Sequence, residues 1–498
     1  MSLYGTTTVE EYLKHIEEIE EQAKKKAATM IEPTLERRWE IIYTVRDFVI
    51  EKKRKIYGGF ALNLLIGMKE PKDKFYKDDD IEKWDIDFYS PDPINDAIEI
   101  ANRLHKKKFK NVQGTEAQHD ETYTVFAEGE KCADISYVPR NIYNKIPFNE
   151  YKNMTLTGAY FMMIDYFRVL TDPMTSYFRL TQKKSFERLL LLTKHYPLPK
   201  IKNNNVSIIP PPKELDIAFR TINNFLIDRK TTIAVGMYAY NFLIKECKIK
   251  TINHCDVNYY EIISTFYKKD VRDLLFMLYD KFPDAKNKIT YKEFYPFFQY
   301  FGFRTQIYYE DTIIGIIYHY NSRCTPYNTV PSLYFTKKSF EENKGNTQIG
   351  TFSMIVLYNL INVMIARTNN DDISKDLYYK LLSNMIEMQE YHQTKNNKTI
   401  FDEGLFKEFT IDCIGTTMSL QSTKQLRIDK RRKAGHMIIW RYQPELAKDK
   451  NVSTFYFKNS SGNIINNVKN MKIDLTEILT DSTSEIDESE TELVDLKE

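Results

Sequence analysis

Two aspartates separated by a single residue, Asp85 and Asp87, carry the clearest suggestion of chemistry in this chain. They lie in WDIDFYS, whose alternation of polar and apolar residues predicts a strand over 85–90. Strand side chains alternate between faces, so the two carboxylates project together while Ile86 and Phe88 point to the core. Two charges about 4 Å apart repel by roughly 4 kcal/mol at an effective dielectric near 20. A divalent cation relieves that repulsion and turns the pair into a hard, all-oxygen ligand site. A third acid, Asp134 in CADISYV, stands between Ala133 and Ile135 on another predicted strand, placed to join the pair. Three carboxylates can hold two metal ions, one lowering the pKa of an attacking hydroxyl and the other steadying phosphates. A DxD pair by itself also caps helices, decorates turns or binds metal in sugar transferases.

The elements around these residues sharpen the choice. KIYGGFALNLLIG predicts a short strand, a glycine turn and a helix, and Gly58 and Gly59 fall at the turn. Backbone N–H groups at such a helix start can receive phosphate, although tandem glycines serve any tight turn. A glycine pair, a DxD about 25 residues on and a strand aspartate about 45–50 residues beyond is a more specific order than any of its parts.

That order, with YGGFALN, WDIDFYS and CADISYV, resembles the nucleotidyltransferase superfamily that includes poly(A) polymerases, tRNA nucleotidyltransferases and DNA polymerase beta. It is most similar to the poly(A) polymerase catalytic subunits of large cytoplasmic DNA viruses, the poxvirus and giant-virus type. The resemblance covers about residues 40–200 by motif and the remainder by layout. It implies an ATP-dependent 3′-terminal adenylyltransferase that uses two Mg²⁺ or Mn²⁺ ions. Gly58 and Gly59 would hold the triphosphate, Asp85 and Asp87 would bind both metals, and Asp134 would activate the RNA 3′-hydroxyl. It also implies work in the host cytoplasm or the virion, and allows a homodimer or a separate processivity subunit. Addition of uridine or CCA, and a non-catalytic RNA-binding subunit with a vestigial site, are the alternatives.

An internal repeat organises the chain. YGGFALNLLI (57–66) aligns without gaps on VGMYAYNFLI (235–244), pairing Gly58 with Gly236, Ala61 with Ala239, Asn63 with Asn241 and Leu65 with Leu243. DFYS (87–90) then matches EIIS (261–264), and DTIIGIIYHY (311–320) answers the strand around Asp134, with Gly315 at the aspartate's place. In this second copy Gly59 becomes Met237, Asp85 falls near Tyr259 and Asp87 becomes Glu261. A site missing two of three carboxylates cannot hold a metal pair. The expected fold is therefore α+β: a polymerase-beta-like nucleotidyltransferase domain, a degenerate second copy and a mostly helical C-terminal region. The expected boundaries are 1–45 for an N-terminal helical segment split at Pro33, 46–202 for the catalytic domain, 216–330 for the inactive copy, 331–470 for the C-terminal region and 471–498 for a disordered tail. The proline-rich stretch 203–215 marks the first division.

Cations recur at two places. Lys183, Lys184 and Arg188 fall on one predicted helix, where Lys184 and Arg188 share a face and could neutralise a triphosphate as charge develops; a solvated face is the plain alternative. Lys430, Arg431, Arg432 and Lys433, with Lys424, Arg427 and Arg441 nearby, lie near Trp440 and Tyr442, a mixture suited to single-stranded RNA and equally to a surface helix. The last 27 residues hold ten acids against two lysines, a net −8, which leaves the remainder at +10 given +2 for the whole chain. Such a body suits a polyanion. The five cysteines show no CxxC pair, so buried free thiols in a reducing compartment are expected. The uncharged stretch 348–366 is interrupted by Gln348, Asn359 and Asn362 and reads as a buried helix rather than a membrane span. The eight histidines show no metal-ligand spacing, and neither a GxxxxGK[ST] loop nor a GxSxG elbow is present.

Overall fold

Pro33 divides the N-terminal helical stretch as the sequence predicts: helix α1 spans Thr6–Met30 and α2 spans Leu35–Glu51. The Thr34 hydroxyl accepts from the Arg37 N–H at 3.4 Å and starts α2. The spacing of Ile41, Ile42, Val45, Phe48 and Val49 gives that helix one buried stripe. The computed structural model describes residues 5–30, 33–76, 84–117, 121–171, 182–199, 215–297, 301–320, 324–336, 339–408, 412–415, 420–433, 435, 440–446, 457–458 and 464–465. The acidic tail expected at 471–498 lies outside the described residues.

Two sheets carry the architecture. The first is built from β1 (Lys55–Tyr57), α3 (Gly58–Lys69), β2 (Asp87–Ser90), α4 (Pro93–Lys106), β3 (Gln113–Glu116), β4 (Thr122–Ala127), β5 (Glu130–Tyr137), α5 (Arg140–Tyr143), β6 (Phe148–Tyr151), β7 (Met154–Thr157), α6 (Ala159–Leu170) and α7 (Gln182–His195). The second follows as α8 (Asp216–Leu226), β8 (Thr232–Val235), α9 (Gly236–Cys247), β9 (Tyr260–Ser264), α10 (Tyr267–Lys281), β10 (Ile289–Phe294), β11 (Arg304–Tyr309), β12 (Thr312–His319), β13 (Thr325–Phe335), β14 (Phe340–Gly350), α11 (Phe352–Thr368) and α12 (Asp372–Thr394). The remaining elements are β15 (Cys413–Ile414), α13 (Leu420–Lys433), β16 (Arg441–Tyr442) and a two-stranded ribbon of β17 (Phe457–Lys458) and β18 (Ile464–Ile465).

The strand orders are β3-β4-β5-β2-β1-β7-β6 and β10-β11-β12-β9-β8-β14-β13, so seven strands correspond one to one. The register corresponds as well. Tyr57 faces Asp87 where Val235 faces Glu261, both antiparallel, and β2 runs parallel to β5 as β9 runs parallel to β12. Buried polar contacts repeat too. The Asn63 carboxamide accepts from the Tyr76 N–H at 3.0 Å and donates to the Tyr76 carbonyl at 3.2 Å, and Asn241 grips Cys255 in the same way at 2.9 and 2.8 Å. Arg54 and the Ser90 hydroxyl donate to Asp96 at 2.7 and 2.5 Å; Arg229 and the Ser264 hydroxyl donate to Asp270 at 2.9 and 2.6 Å. Buried carboxylates demand such partners, and the frame supplies the same set twice. The helices that close the two copies, α6 and α11, pack against each other.

Three sequence expectations need correction. Strand β13 crosses residue 330, and β14 and α11 complete the repeat, so the second copy does not end there. The C-terminal stretch, expected as α/β or helical, carries α11, α12 and α13 and adds a strand to each sheet: β15 pairs with β13, and β16 pairs with β3 at the edge of the first sheet. Gly315 is not the counterpart of Asp134. Phe88 pairs Ile135 as Ile262 pairs Ile317, which assigns Asp134's place to Ile316. Finally, not all five cysteines are free: the pairing of Pro326 with Cys413 sets Cys324 beside Cys413, and the two form a disulfide with Cα atoms 5.3 Å apart. Cys132, Cys247 and Cys255 are free thiols. Helix α11 takes up most of the uncharged stretch and is buried on nearly every face, and among the described residues no helix is long and apolar enough to cross a membrane.

Candidate active site

Strand β1 is only three residues long and passes directly into α3 at Gly58. Gly58 adopts φ +72°, and a Cβ there would stand 2.5 Å from the Asp87 Oδ2 atom. The position therefore accepts only glycine, both for its backbone and for the close approach of the carboxylate. The first turn of α3 is thereby brought against the acidic cluster, with its N–H groups unengaged by the helix itself.

Asp87 opens β2, and Asp85 lies just before it rather than within the strand as the sequence predicts. The Ile86 N–H donates to the Cys132 carbonyl at 3.2 Å, so the chain stays extended alongside β5 and the two aspartates keep a common face. Trp84, edge-on to Trp39 and Phe60 with ring centres 5.2 Å apart in each case, anchors this segment. Asp134 stands on β5. One carboxylate oxygen from each of Asp85, Asp87 and Asp134 lies within 4.8 Å of the others.

The electrostatics are those of a site short of positive charge. Burial pushes the Asp87 carboxyl well above the usual carboxylate range, and Asp85 and Asp134 push it further. Its Oδ1 atom is shut off from solvent and has no hydrogen-bond partner, which for a buried carboxylate oxygen is costly. Asp134 accepts from the Thr124 hydroxyl at 2.6 Å. The Lys131 ammonium sits 2.5 Å from Asp85 and 2.9 Å from Asp134. Burial lowers the Lys131 pKa, but the three aspartates outweigh it and hold the group protonated. An orphaned buried oxygen in an all-carboxylate set suits a hard divalent cation such as Mg²⁺ or Mn²⁺.

The three predicted cations of α7 separate. The Arg188 guanidinium lies 4.7 Å over the Phe75 ring and 5.3 Å over Tyr76, donates to the Tyr76 hydroxyl, and would stand 3.0 Å from a Cβ on Gly59. It is thus beside the glycine turn. Lys184 lies 5.9 Å over the Tyr76 ring. Lys183 points away, 89% exposed and 3.9 Å from Glu187.

The basic C-terminal patch is partly structural. Arg431 donates to both oxygens of the buried Glu116 at 3.2 and 2.8 Å, and Arg427 lies 3.5 Å from the same carboxylate. Lys430, Arg432 and Lys433 are exposed, with Arg432 paired to Asp429 at 3.0 Å. Trp440 and Tyr442 are core residues: Trp440 packs against Gly114 and edge-on to Tyr123, and the Tyr442 hydroxyl donates to Asn102 at 2.6 Å. Neither ring is available to stack a base, because β16 folds them onto β3.

Sequence reasoning missed Lys131 and Tyr76. Lys131 was visible only as a cation three residues before Asp134. Tyr76 lies 13 residues beyond Asn63, whose side chain fixes its backbone, and no local pattern marks it.

A glycine turn at a helix start, three converging carboxylates on adjacent parallel strands and a degenerate second copy of the same sheet together define a nucleotidyltransferase. Comparison with known proteins narrows this. Residues 43–176 match the family described as poly(A) polymerase catalytic subunit, and residues 191–475 match "APMV, Putative poly(A) polymerase, catalytic subunit, C-terminal". A protein of that description from Acanthamoeba polyphaga mimivirus is 31% identical over 93% of this chain and 83% of its own length. One from African swine fever virus (strain Badajoz 1971 Vero-adapted) is 31% identical over 40% of each chain. Among solved structures, the Megavirus polyadenylate synthase matches with a TM-score of 0.78 and 29% identity, over 95% of this chain and 94% of that one. The chain belongs to the poly(A) polymerase catalytic subunit family and is a polynucleotide adenylyltransferase.

Proposed function

We propose that the chain adds AMP from ATP to RNA 3′ ends without a template, with Asp85, Asp87 and Asp134 as the ligands of two divalent ions. The observation that carries this reading is the convergence of three ligand oxygens within 4.8 Å, next to a turn that tolerates only glycine. Mg²⁺ or Mn²⁺ bound there would supply Lewis-acid stabilisation of the attacking and leaving oxygens.

The chain's own groups do the rest. Asp85 and Asp87, held on one face by the extended segment alongside β5, would hold the ions beside the α3 turn. The first N–H groups of α3, at Gly58 and Gly59, receive the triphosphate. Arg188 stands beside that turn to neutralise the charge that builds on pyrophosphate as it leaves. Asp134 orients the RNA 3′-hydroxyl for in-line attack and accepts its proton. The attack forms the new phosphodiester and breaks the α–β phosphoanhydride, with no covalent enzyme intermediate. Lys430, Arg432 and Lys433 remain the part of the basic patch suited to RNA phosphates. We read residues 46–202 as the catalytic domain and the second copy as a catalytically silent scaffold, with the enzyme acting in the host cytoplasm or the virion as its viral relatives suggest.

Primer extension of an oligo(A) RNA with each of the four NTPs tests the proposal, with Asp87→Ala as control. Incorporation from ATP alone, lost in the variant, is the expected result. Equal use of UTP or CTP overturns the base assignment, and incorporation by Asp87→Ala overturns the site.

A further inference from the structure

Lys131 reaches the acidic cluster through an irregularity in β5. On a regular strand, residues three apart point to opposite faces, so Lys131 and Asp134 should face away from each other. Instead, Val125 pairs with Ala133 and Phe126 with Lys131, leaving Cys132 without an opposite number. This is a β-bulge. The extra residue brings Lys131 back to the face of Asp134, opposite Phe126 and Thr124, which are two apart on β4. The result is one ammonium between two of the three aspartates, at 2.5 and 2.9 Å.

The second copy offers an internal control. The same slip occurs between Ile307 and Tyr308, which pair with Gly315 and Ile313, so the bulge is kept at Ile314. Ile313 therefore occupies the place of Lys131. In that copy Tyr259 and Ile316 stand where Asp85 and Asp134 do, and the cation is absent together with the two acids it contacts. The bulge thus belongs to the fold, while the lysine goes with the carboxylates.

We propose that Lys131 is a resident counter-cation for the aspartates: it keeps the three carboxylates converged while no metal is bound, and releases Asp85 and Asp134 when metal arrives. The inference rests on the reading of this triad as the metal site. A flexible four-carbon stem carrying a compact charge suits a group that must let go, and the side chain is 40% exposed, with solvent to swing into. Lys131 is on this account a positioning residue that competes with metal for the same oxygens.

The test is Mn²⁺ binding to the full-length, chelator-stripped protein at pH 7, followed by calorimetry, with Asp85→Asn as the blank and thermal melting of the metal-free forms alongside. Lys131→Met is expected to bind Mn²⁺ about tenfold more tightly, the lower end of what groups around a metal site contribute to affinity, and to melt at a lower temperature without metal. Lys131→Gln, which keeps a polar end without the charge, should behave likewise if the methionine variant folds poorly, and Lys131→Arg should stay near wild type in affinity. Unchanged or weaker Mn²⁺ binding in both neutral variants overturns the role of Lys131 and leaves the metal site standing. Absence of Mn²⁺ binding in the wild type, indistinguishable from Asp85→Asn, overturns both.

Discussion

The two halves of this molecule share a frame down to single hydrogen bonds, yet only one of them gathers acids. Both keep the glycine with positive φ, the buried asparagine, the arginine–aspartate–serine clamp and the bulged strand. At the acidic cluster they part at four side chains: Asp85, Asp87, Lys131 and Asp134 in the first copy against Tyr259, Glu261, Ile313 and Ile316 in the second. Each copy leaves one buried carboxylate oxygen without a partner, Asp87 Oδ1 in the first and Glu261 Oε2 in the second, but in the second packed neighbours bond the other oxygen. Glu261 accepts from the Tyr318 hydroxyl at 2.9 Å and the Asn362 carboxamide at 2.5 Å, and the Tyr259 and Tyr378 hydroxyls bond to each other. The frame therefore serves packing in both copies, and the acidic cluster comes from a handful of substitutions at one end of the sheet.

The comparison breaks most sharply if the acids are not what separates the copies. Asp85→Ala, Asp87→Ala and Asp134→Ala should each lower tailing at least about a thousandfold, the upper end for loss of one preorganised electrostatic contact. Glu261→Gln should leave it within about twofold, since a well-separated site adds independently. Steady-state primer extension with circular dichroism as a folding check reads both.

The same Glu261 sharpens the comparison through pH. Burial holds its carboxyl up at about 7, offset in part by Tyr318 and Asn362, whereas an unfolded glutamate titrates near 4.3. Its contribution to stability is complete below the unfolded value and is lost as pH rises through 7, because the unfolded chain ionises first. Relative to Glu261→Gln, the wild type should lose roughly 3 kcal/mol between about pH 4.5 and 7, measurable by urea unfolding across that range. Parallel pH profiles for the two proteins would refute it.

The glycines probe the shared frame. A Cβ at Gly58 meets Asp87 Oδ2 at 2.5 Å, and one at Gly236 meets Glu261 Oε2 at 2.0 Å. Gly58→Ala and Gly236→Ala should each destabilise by about 1–3 kcal/mol, but only Gly58→Ala should also depress activity. At the small end, Arg188→Ala should lower kcat/KM for ATP about tenfold, as expected for one charge-assisted contact, while exposed Lys183→Ala should change it less than twofold, in keeping with the small effects of surface charges.

The sequence disclosed the triad, the glycine turn and the repeat because each is local: alternation sets a DxD on one face, and a glycine pair between strand and helix has few other uses. It did not disclose Lys131, because the rule of alternation sends it to the wrong face and only the bulge at Cys132 returns it. Nor does pattern fix a one-residue register between the copies, which is why their alignment assigns Gly315 in place of Ile316. Long-range partners were equally hidden. Nothing local marks Arg431 as the partner of Glu116, 315 residues away. Cys324 and Cys413, separated by 89 residues, meet only through pairing of β13 with β15.

The strand that covers β3 has a consequence for how the chain comes to be an enzyme. Arg441 and Tyr442 pair with Thr115 and Gly114, the Glu116 N–H donates to the Trp440 carbonyl at 3.0 Å, and the Trp440 ring is buried. During synthesis, the first sheet waits for more than 300 residues to emerge before its outer edge is closed, and an unpaired edge is an invitation to stray strands. Maturation of the N-terminal half is thus timed by the far end of the polypeptide, so that a ribosome stalled before Trp440 releases a sheet still open on one side.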